Sequence, residues 1–100
     1  MEFLLQYDMT EEDIEEITNR NDESIIKNII LNRKKVCEVI DYLIEVGIEK
    51  PVIKELFLEQ IGMFFRTKEE IRDVFDEYEM DSIIKSLNYD VNTVDLIEFS

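Results

Sequence analysis

Apolar residues recur at spacings of three and four along nearly the whole chain, and this period constrains the fold more than any other feature. Between Asn32 and Gly47 they stand at Val36, Val39, Ile40, Leu43 and Ile44. Such spacing places them on one face of a helix, whereas a strand requires alternation. No alternating run is long enough to indicate a strand. We therefore predict an all-α fold, a single compact domain of six or seven short helices.

Capping residues and helix breakers predict where these helices begin and end. Gly47 suits the left-handed position that closes a helix, and Pro51 suits the first turn of the next. Thr10 and Thr67 each precede acidic residues and are predicted to cap helices at their N-termini. The same role is predicted for three further residues: Asn32, Asp81 and Asn92.

Sliding the chain along itself indicates an internal repeat. The shift that places Leu4 on Leu43 also places the doublet Ile25–Ile26 on Phe64–Phe65, with a basic residue after each doublet. A shorter third copy follows at an offset near 32. These matches predict two to three degenerate helical repeats, with units of about 4–42, 43–79 and 80–100.

The segment "YLIEVGIEKPVIKELFLEQIGMFFRTKEEIRDVFDEY", residues 42 to 78, resembles the helical repeat of the mitochondrial transcription termination factor family. That repeat has a long helix ending in L-x-x-L-G-I, a short helix with I-x-x-I/L, and an apolar pair before a capped helix. Residues 4 to 26 match it less closely. The family typically carries a proline just ahead of the pair, where this chain has Asp22, Glu23, Ile61 and Gly62. The resemblance implies a helical-repeat architecture, in a family whose larger arrays bind nucleic acid through basic concave surfaces.

Charge is distributed in three blocks along this chain, whose net charge is −14. Residues 1–24 and 69–100 each carry −8, and residues 25–68 carry +2. Such a field repels phosphate, which disfavours direct binding to nucleic acid or to an anionic membrane. It favours a protein partner with a cationic surface. No stretch approaches the roughly 20 apolar residues of a membrane span.

The inventory of reactive residues argues against an enzyme. The chain has no histidine, one cysteine (Cys37) and two isolated glycines. Histidine is the commonest general acid or base, and one cysteine without histidine excludes a structural zinc site within a single chain. No phosphate-binding glycine loop is present. We therefore expect no catalytic residue, cofactor or metal, and the lone thiol favours a reducing, cytoplasmic location. The absence of alanine, beside many Ile, Lys and Asn, indicates an AT-rich genome such as that of a low-GC bacterium or its phage.

Two charged features are candidate binding sites. The first is a pair of acidic faces: Glu11, Glu12, Asp13, Glu15 and Glu16, and Glu69, Glu70, Asp73, Asp76, Glu77, Glu79 and Asp81. The second is a basic strip: Lys27, Arg33, Lys34 and Lys35. The plain interpretation is that the acids only solubilise the protein and that the bases of the strip pair with its acidic ends.

The sharper hypothesis is a non-enzymatic acidic module that docks on the basic, nucleic-acid-binding surface of a partner protein, as an inhibitor or regulator. The alternative is a nucleic-acid-associated regulator of termination-factor type, binding through the basic strip Lys27–Lys35. A homo-oligomer also stays open. Adjacent Phe64 and Phe65 belong to an apolar group expected in the core, but they cannot point the same way on a helix, so one could be exposed and form part of an interface.

Overall fold

The computed structural model describes residues 1–97, and all its regular structure is helical. Six α-helices follow one another: α1 (Glu11–Arg20), α2 (Glu23–Leu31), α3 (Arg33–Val46), α4 (Lys50–Glu59), α5 (Lys68–Glu77) and α6 (Met80–Tyr89). Three short 3₁₀ helices accompany them: η1 (Glu2–Tyr7), η2 (Ile61–Phe65) and η3 (Val91–Leu96). The all-α prediction is confirmed. Residues 98–100 of the predicted third unit lie outside the described residues.

Gly47 ends α3 and Pro51 lies in the first turn of α4, as predicted. Gly47 has a φ of 116°, a left-handed conformation that side chains with a Cβ rarely adopt. The following N–H, that of Ile48, donates to the carbonyl of Leu43 at 2.9 Å and satisfies one of the last free acceptors of α3. The chain can therefore turn directly from α3 into α4.

Asn88 on α6 holds this turn from outside. Its Nδ2 donates to the carbonyl of Gly47 at 3.0 Å, and the N–H of Glu49 donates to its Oδ1 at 3.0 Å. A Cβ on Gly47 would lie 3.3 Å from Cγ2 of Ile84, so α6 also packs closely against the turn. Helix α6 thus braces the turn between α3 and α4.

The predicted N-caps are correct at Thr10 and Thr67, which both form capping boxes. Asn32 also occupies the N-cap position of α3, as predicted, but its amide donates to a carbonyl of α2 and makes no capping bond to α3. The other two predictions are wrong. Asp81 lies inside α6, which begins after a residue with a left-handed φ of 63° at position 79. Asn92 donates its backbone N–H to the actual cap of η3, the Asp90 carboxylate.

The core is apolar, and no polar or charged residue of the described chain is fully buried. The largest fully buried side chains include Phe57, Phe64 and Phe75. The rings of Phe57 and Phe64 stack with centroids 3.9 Å apart. Phe65 is 38% exposed beside a fully buried Phe64, so the predicted division of the doublet is confirmed. Burial of large apolar side chains is thus the main stabilising term of this fold.

Helices of equal length recur along the chain and pack on one another. α1 and α4 have the same length, lie in contact, and begin at Glu11 and Lys50, the same separation as that of Leu4 and Leu43. α6 also has this length. The separation between its start at Met80 and the start of α4 at Lys50 is smaller than the offset near 32 that the third sequence copy predicts. α3 contacts both η2 and α5. The internal repeat itself stays a prediction.

Candidate functional site

The acidic cluster of α1 is partly neutralised by the neighbouring helix α4. Lys54 lies 2.9 Å from Oδ1 of Asp13 and 3.2 Å from Oε2 of Glu16. Asp13 also accepts the backbone N–H of Thr10 at 2.9 Å as part of the capping box. Glu11, Glu12 and Glu15 are exposed. Two of the five carboxylates predicted on this face therefore have roles within the fold.

A groove of about 530 Å³ lies beside this ion-paired cluster, between η1 and α4. Its floor includes Tyr7, Met9 and Leu58. Both of its cations already have carboxylate partners, since Lys50 lies 2.8 Å from Asp8 and Lys54 holds Asp13 and Glu16. The groove thus offers no unpaired cation for recognising a ligand.

The acidic residues of α5 are arranged differently. Glu69, Asp73 and Asp76 follow at spacings of four and three, which places them on one outward stripe, with Glu77 beside it. We call these four residues the α5 acidic stripe, and all four are exposed. Within residues 1–97 the stripe has a single ion pair, between Asp73 and its chain neighbour Arg72 at 3.6 Å. Like charges at these spacings destabilise a helix by about 0.2–0.5 kcal/mol per pair.

The other predicted acidic residues near α5 do not belong to the stripe. Glu70 reaches back to the N–H of Thr67 and completes the capping box. Glu79 and Asp81 lie at the start of α6, where both are exposed. The predicted face therefore divides into a capping residue, a helical stripe and two residues at the next helix.

A second groove, of about 350 Å³, separates α5 from α3. We call it the α3–α5 groove. Glu38, Asp41 and Glu45 line it from α3, and Lys68 and Arg72 line it from α5. The sequence-based candidates omitted the three acids of α3, although their spacings of three and four signal a shared helix face. The three acids therefore face two cations of α5 across the groove, and Asp76 of the α5 acidic stripe lies close enough to influence Tyr42 beside them.

Tyr42 lines the α3–α5 groove, and Tyr7, which lines the first groove, bonds to one of the acids of the second. Tyr7 donates its hydroxyl to Asp41 at 2.9 Å, and burial, together with bonds to Cys37 and Asp41, raises the pKa of Tyr7. The hydroxyl of Tyr42 is buried and makes no hydrogen bond to a described residue. Burial and the nearby charge of Asp76 raise the pKa of Tyr42. Both phenols therefore stay neutral and add no charge to the groove.

The residues of the basic strip are at or near the surface and make no ion pair with any residue of the described chain. Lys35 donates to the carbonyl of Phe65 at 3.1 Å, and Arg33 donates to that of Ile30 at 3.4 Å. Lys27 and Lys34 are exposed. The interpretation that the strip pairs with the acidic ends is therefore wrong for residues 1–97. Arg20, Lys50, Lys54 and Arg72 make the ion pairs instead.

The charges of α3 run against its dipole. Arg33, Lys34 and Lys35 occupy its first turn, where the helix end is positive, and Glu45 lies in its last turn, where the end is negative. Each unfavourable charge costs about 0.3–1 kcal/mol at low ionic strength. By contrast, α1 has three acids in its first turn and Arg20 in its last. The arrangement in α3 destabilises the helix locally. It therefore favours a role for these charges in contacts made by the surface of α3.

Cys37 is half-buried and accepts a weak bond from Gln6 Nε2 at 3.7 Å. Among residues 1–97, no three His, Cys, Asp or Glu side chains are grouped closely enough to hold a metal ion. No helix in that part of the chain combines the length and the apolar character needed to cross a membrane.

Comparisons with models of protein families, with curated proteins and with solved structures give no match to this chain. The likeness to the termination-factor repeat therefore stays a prediction from the spacing of apolar residues.

Proposed function

We propose that this protein is a non-enzymatic binding module that docks its α5 acidic stripe on a cationic surface of a partner protein. The observation that carries this proposal is the contrast between the two acidic helices. Lys54 neutralises part of the α1 cluster, whereas Glu69, Asp76 and Glu77 on α5 make no ion pair within residues 1–97. A stripe that costs helix stability, and in which three of the four carboxylates have no ion-pair partner within residues 1–97, is suited to an external cation.

The acids of α3 enlarge this surface. Glu38, Asp41 and Glu45 face the α3–α5 groove, whose other wall carries Lys68 and Arg72. A partner's lysine or arginine approaching the α5 acidic stripe would meet further carboxylates at the groove. Such complementarity raises association rates and selects partners by charge.

We further propose that the partner's cationic surface is one that otherwise holds nucleic acid, so that the protein acts as an inhibitor or regulator. The net charge of −14 supports this version, because carboxylates on a small rigid helix can stand where phosphates would bind. Docking of this kind weakens with salt, since the Debye length falls from about 10 Å at 0.1 M to about 3 Å at 1 M.

One observation supports the second candidate function, which is nucleic-acid binding through the basic strip. Lys27 and Lys34 are exposed and form no ion pair within the described chain. Neutralising Arg33, Lys34 and Lys35 together would abolish an electrophoretic shift of nucleic acid under this alternative. The same variant would leave docking of the α5 acidic stripe on a cationic protein intact.

The test is affinity capture from a lysate of the source organism, at low and at high salt, with nuclease treatment in parallel. Two variants with equal charge changes are compared with the wild type. One neutralises three of the four stripe residues (Asp73→Asn, Asp76→Asn, Glu77→Gln), and its matched control neutralises three acids of α1 (Glu11→Gln, Glu12→Gln, Glu15→Gln). Circular dichroism verifies that both variants fold.

The proposal expects basic, nucleic-acid-binding proteins that survive nuclease, leave at high salt and are lost only with the stripe variant. Equal loss with both variants would show a general charge effect and contradict a localised docking surface. Capture of nucleic acid alone would exclude the proposal and favour the basic strip.

A further inference from the structure

The outward side of α3 has basic residues at one end and acidic residues at the other. Along α3, Lys34 and then Glu38, Asp41 and Glu45 follow at spacings of four, three and four, so the four share one outward stripe. Arg33 and Lys35 flank the basic beginning of this stripe. The α3 stripe thus changes from positive to negative along its length.

α5 adds charges of both signs beside the α3–α5 groove, since Glu69 and Glu70 accompany Lys68 in its first turn. Lys68 in its first turn and Arg72 near its middle line the groove, and Asp73, Asp76 and Glu77 complete its second half. Asp76 lies close enough to Tyr42, on the second half of α3, to influence its ionisation. The acidic second halves of the two helices are therefore neighbours.

A surface with opposite charges at its two ends complements itself when a second copy is rotated by a half-turn. In such a two-fold interface, each pairing occurs twice, because the same patch is used by both chains. The basic end of one copy, with Arg33 and Lys34, would meet the acidic end of the other, with Glu45 and Asp76. Both sets of charges lack ion pairs within residues 1–97.

We infer that the α3–α5 face docks on a second copy of this chain about a two-fold axis, the basic end of each copy against the acidic end of the other. The inference rests on the proposed function in one respect, since Asp76 belongs to the α5 acidic stripe. A second copy and a cationic partner would then compete for the same carboxylates, and the homodimer is the resting form from which a partner releases a monomer.

Exposed apolar residues at the basic end support a protein contact over a purely electrostatic one. Leu31 precedes the basic turn of α3 and is 77% exposed. Phe65 is 38% exposed, and its carbonyl accepts the bond from Lys35. Apolar contact at this end would hold the copies together once the charges have aligned them.

The overall charge of −14 opposes self-association, which shapes the test. The experiment is sedimentation equilibrium over a dilution series at physiological ionic strength, where the Debye length of about 8 Å screens the distant charges but not contacts. The expected wild-type mass at high concentration is twice the 12.0 kDa of one chain.

Charge reversal then identifies the face. Arg33→Glu with Lys34→Glu makes the basic end acidic, and Glu45→Lys with Asp76→Lys reverses the acidic end. Each double variant alone is expected to be monomeric, and an equimolar mixture of the two is expected to form a heterodimer. The quadruple variant has the charge order reversed and keeps the wild-type net charge of −14, so it is expected to dimerise again.

A wild type that stays monomeric at every concentration would overturn the inference. So would double variants that still dimerise, or a mixture and a folded quadruple variant that both stay monomeric. The proposed function is judged separately, by capture with the Arg33→Glu, Lys34→Glu variant, which retains the α5 acidic stripe. If it captures basic proteins although the wild type is monomeric, only the dimer is wrong.

Discussion

The ammonium of Lys54 on α4 lies 2.9 Å from the carboxylate of Asp13 on α1 and joins two helices that α2 and α3 separate along the chain. The hydrogen bond from the backbone N–H of Thr10 is the main cause that holds the pKa of Asp13 below its ordinary value of 3.8, and the bond from Lys54 is the next largest. The bonds to Asp13 and Glu16 raise the pKa of Lys54 above 10.5. One lysine therefore links a helix cap to the packing of α1 on α4.

This link predicts a pH-dependent contribution to stability. Because the pKa of Asp13 is lower in the folded state, the unfolded chain binds its proton more readily. The contribution is thus complete above the ordinary value of 3.8 and is lost as pH falls through the folded pKa. The difference in free energy of unfolding between wild type and Asp13→Asn should shrink as pH falls through the acid range, measured by urea denaturation.

The comparison for this prediction is Glu12→Gln, which removes a charge from the same turn where no ion pair exists within the described residues. Its difference from wild type should vary less with pH than that of Asp13→Asn. If the Asp13→Asn difference stayed constant through the acid range, the proposed stabilisation of the Asp13 carboxylate would be incorrect.

Replacing each phenylalanine of the doublet should have very different effects. Phe64 is fully buried and stacks on Phe57, so Phe64→Ala should lower the free energy of unfolding by about 3–5 kcal/mol. Phe65 is 38% exposed, and Phe65→Ala should cost less than about 1 kcal/mol. Chemical denaturation of the two variants measures both values, and similar losses would contradict the division of the doublet.

The two glycines should respond oppositely to alanine. At Gly47 a Cβ would be strained by the φ of 116° and crowded by Ile84, so Gly47→Ala should destabilise by about 1–3 kcal/mol. At Gly62 nothing lies within 4 Å of an added Cβ. Gly62→Ala should be neutral or stabilise by up to about 1 kcal/mol, because it restricts the unfolded chain. Thermal unfolding of both variants measures these effects. Equal shifts in melting temperature would contradict the argument from backbone conformation.

Asn88→Ala should destabilise by about 1–3 kcal/mol, because the backbone groups of Gly47 and Glu49 lose their bonds to the side chain. Asn19→Ala is a matched control, since Asn19 is the ninth residue of α1 as Asn88 is of α6, and it is exposed. The control measures the effect of the Asn→Ala change on helix propensity alone, so the difference between the two variants reports the bonds of Asn88. Equal unfolding free energies for the two variants would show that the bonds to Asn88 do not stabilise the turn.

Much of the fold could be predicted because its signals are local. Gly47 and Pro51 restrict their own backbone, and Thr10 bonds within four residues, so neighbouring positions suffice to place α1, α3 and α4. Glu79 shows the limit of this argument. A left-handed φ of 63° at a glutamate is uncommon, and it moves the N-cap of α6 from the predicted Asp81 to Glu79.

The candidate site was less predictable because it depends on contacts distant in sequence. Glu16 and Asp76 are equally acidic in the sequence, but only Glu16 faces a lysine from another helix in the described chain. Similarly, Lys34 and Lys54 have the same charge, but Lys54 pairs with Asp13 whereas Lys34 is exposed and makes no ion pair within the described residues. Helical periodicity identifies which residues face outward, whereas tertiary packing decides which of them are neutralised.

The position of Asn88 has a consequence for how the protein unfolds. In an open solenoid each unit depends on its neighbours alone, so units can be removed one by one with partial loss of stability. Here a side chain of the last α-helix holds the turn between α3 and α4, far back along the chain. Truncation before α6 should therefore loosen the centre of the protein, and the chain should melt in a single cooperative transition, without fraying from one end.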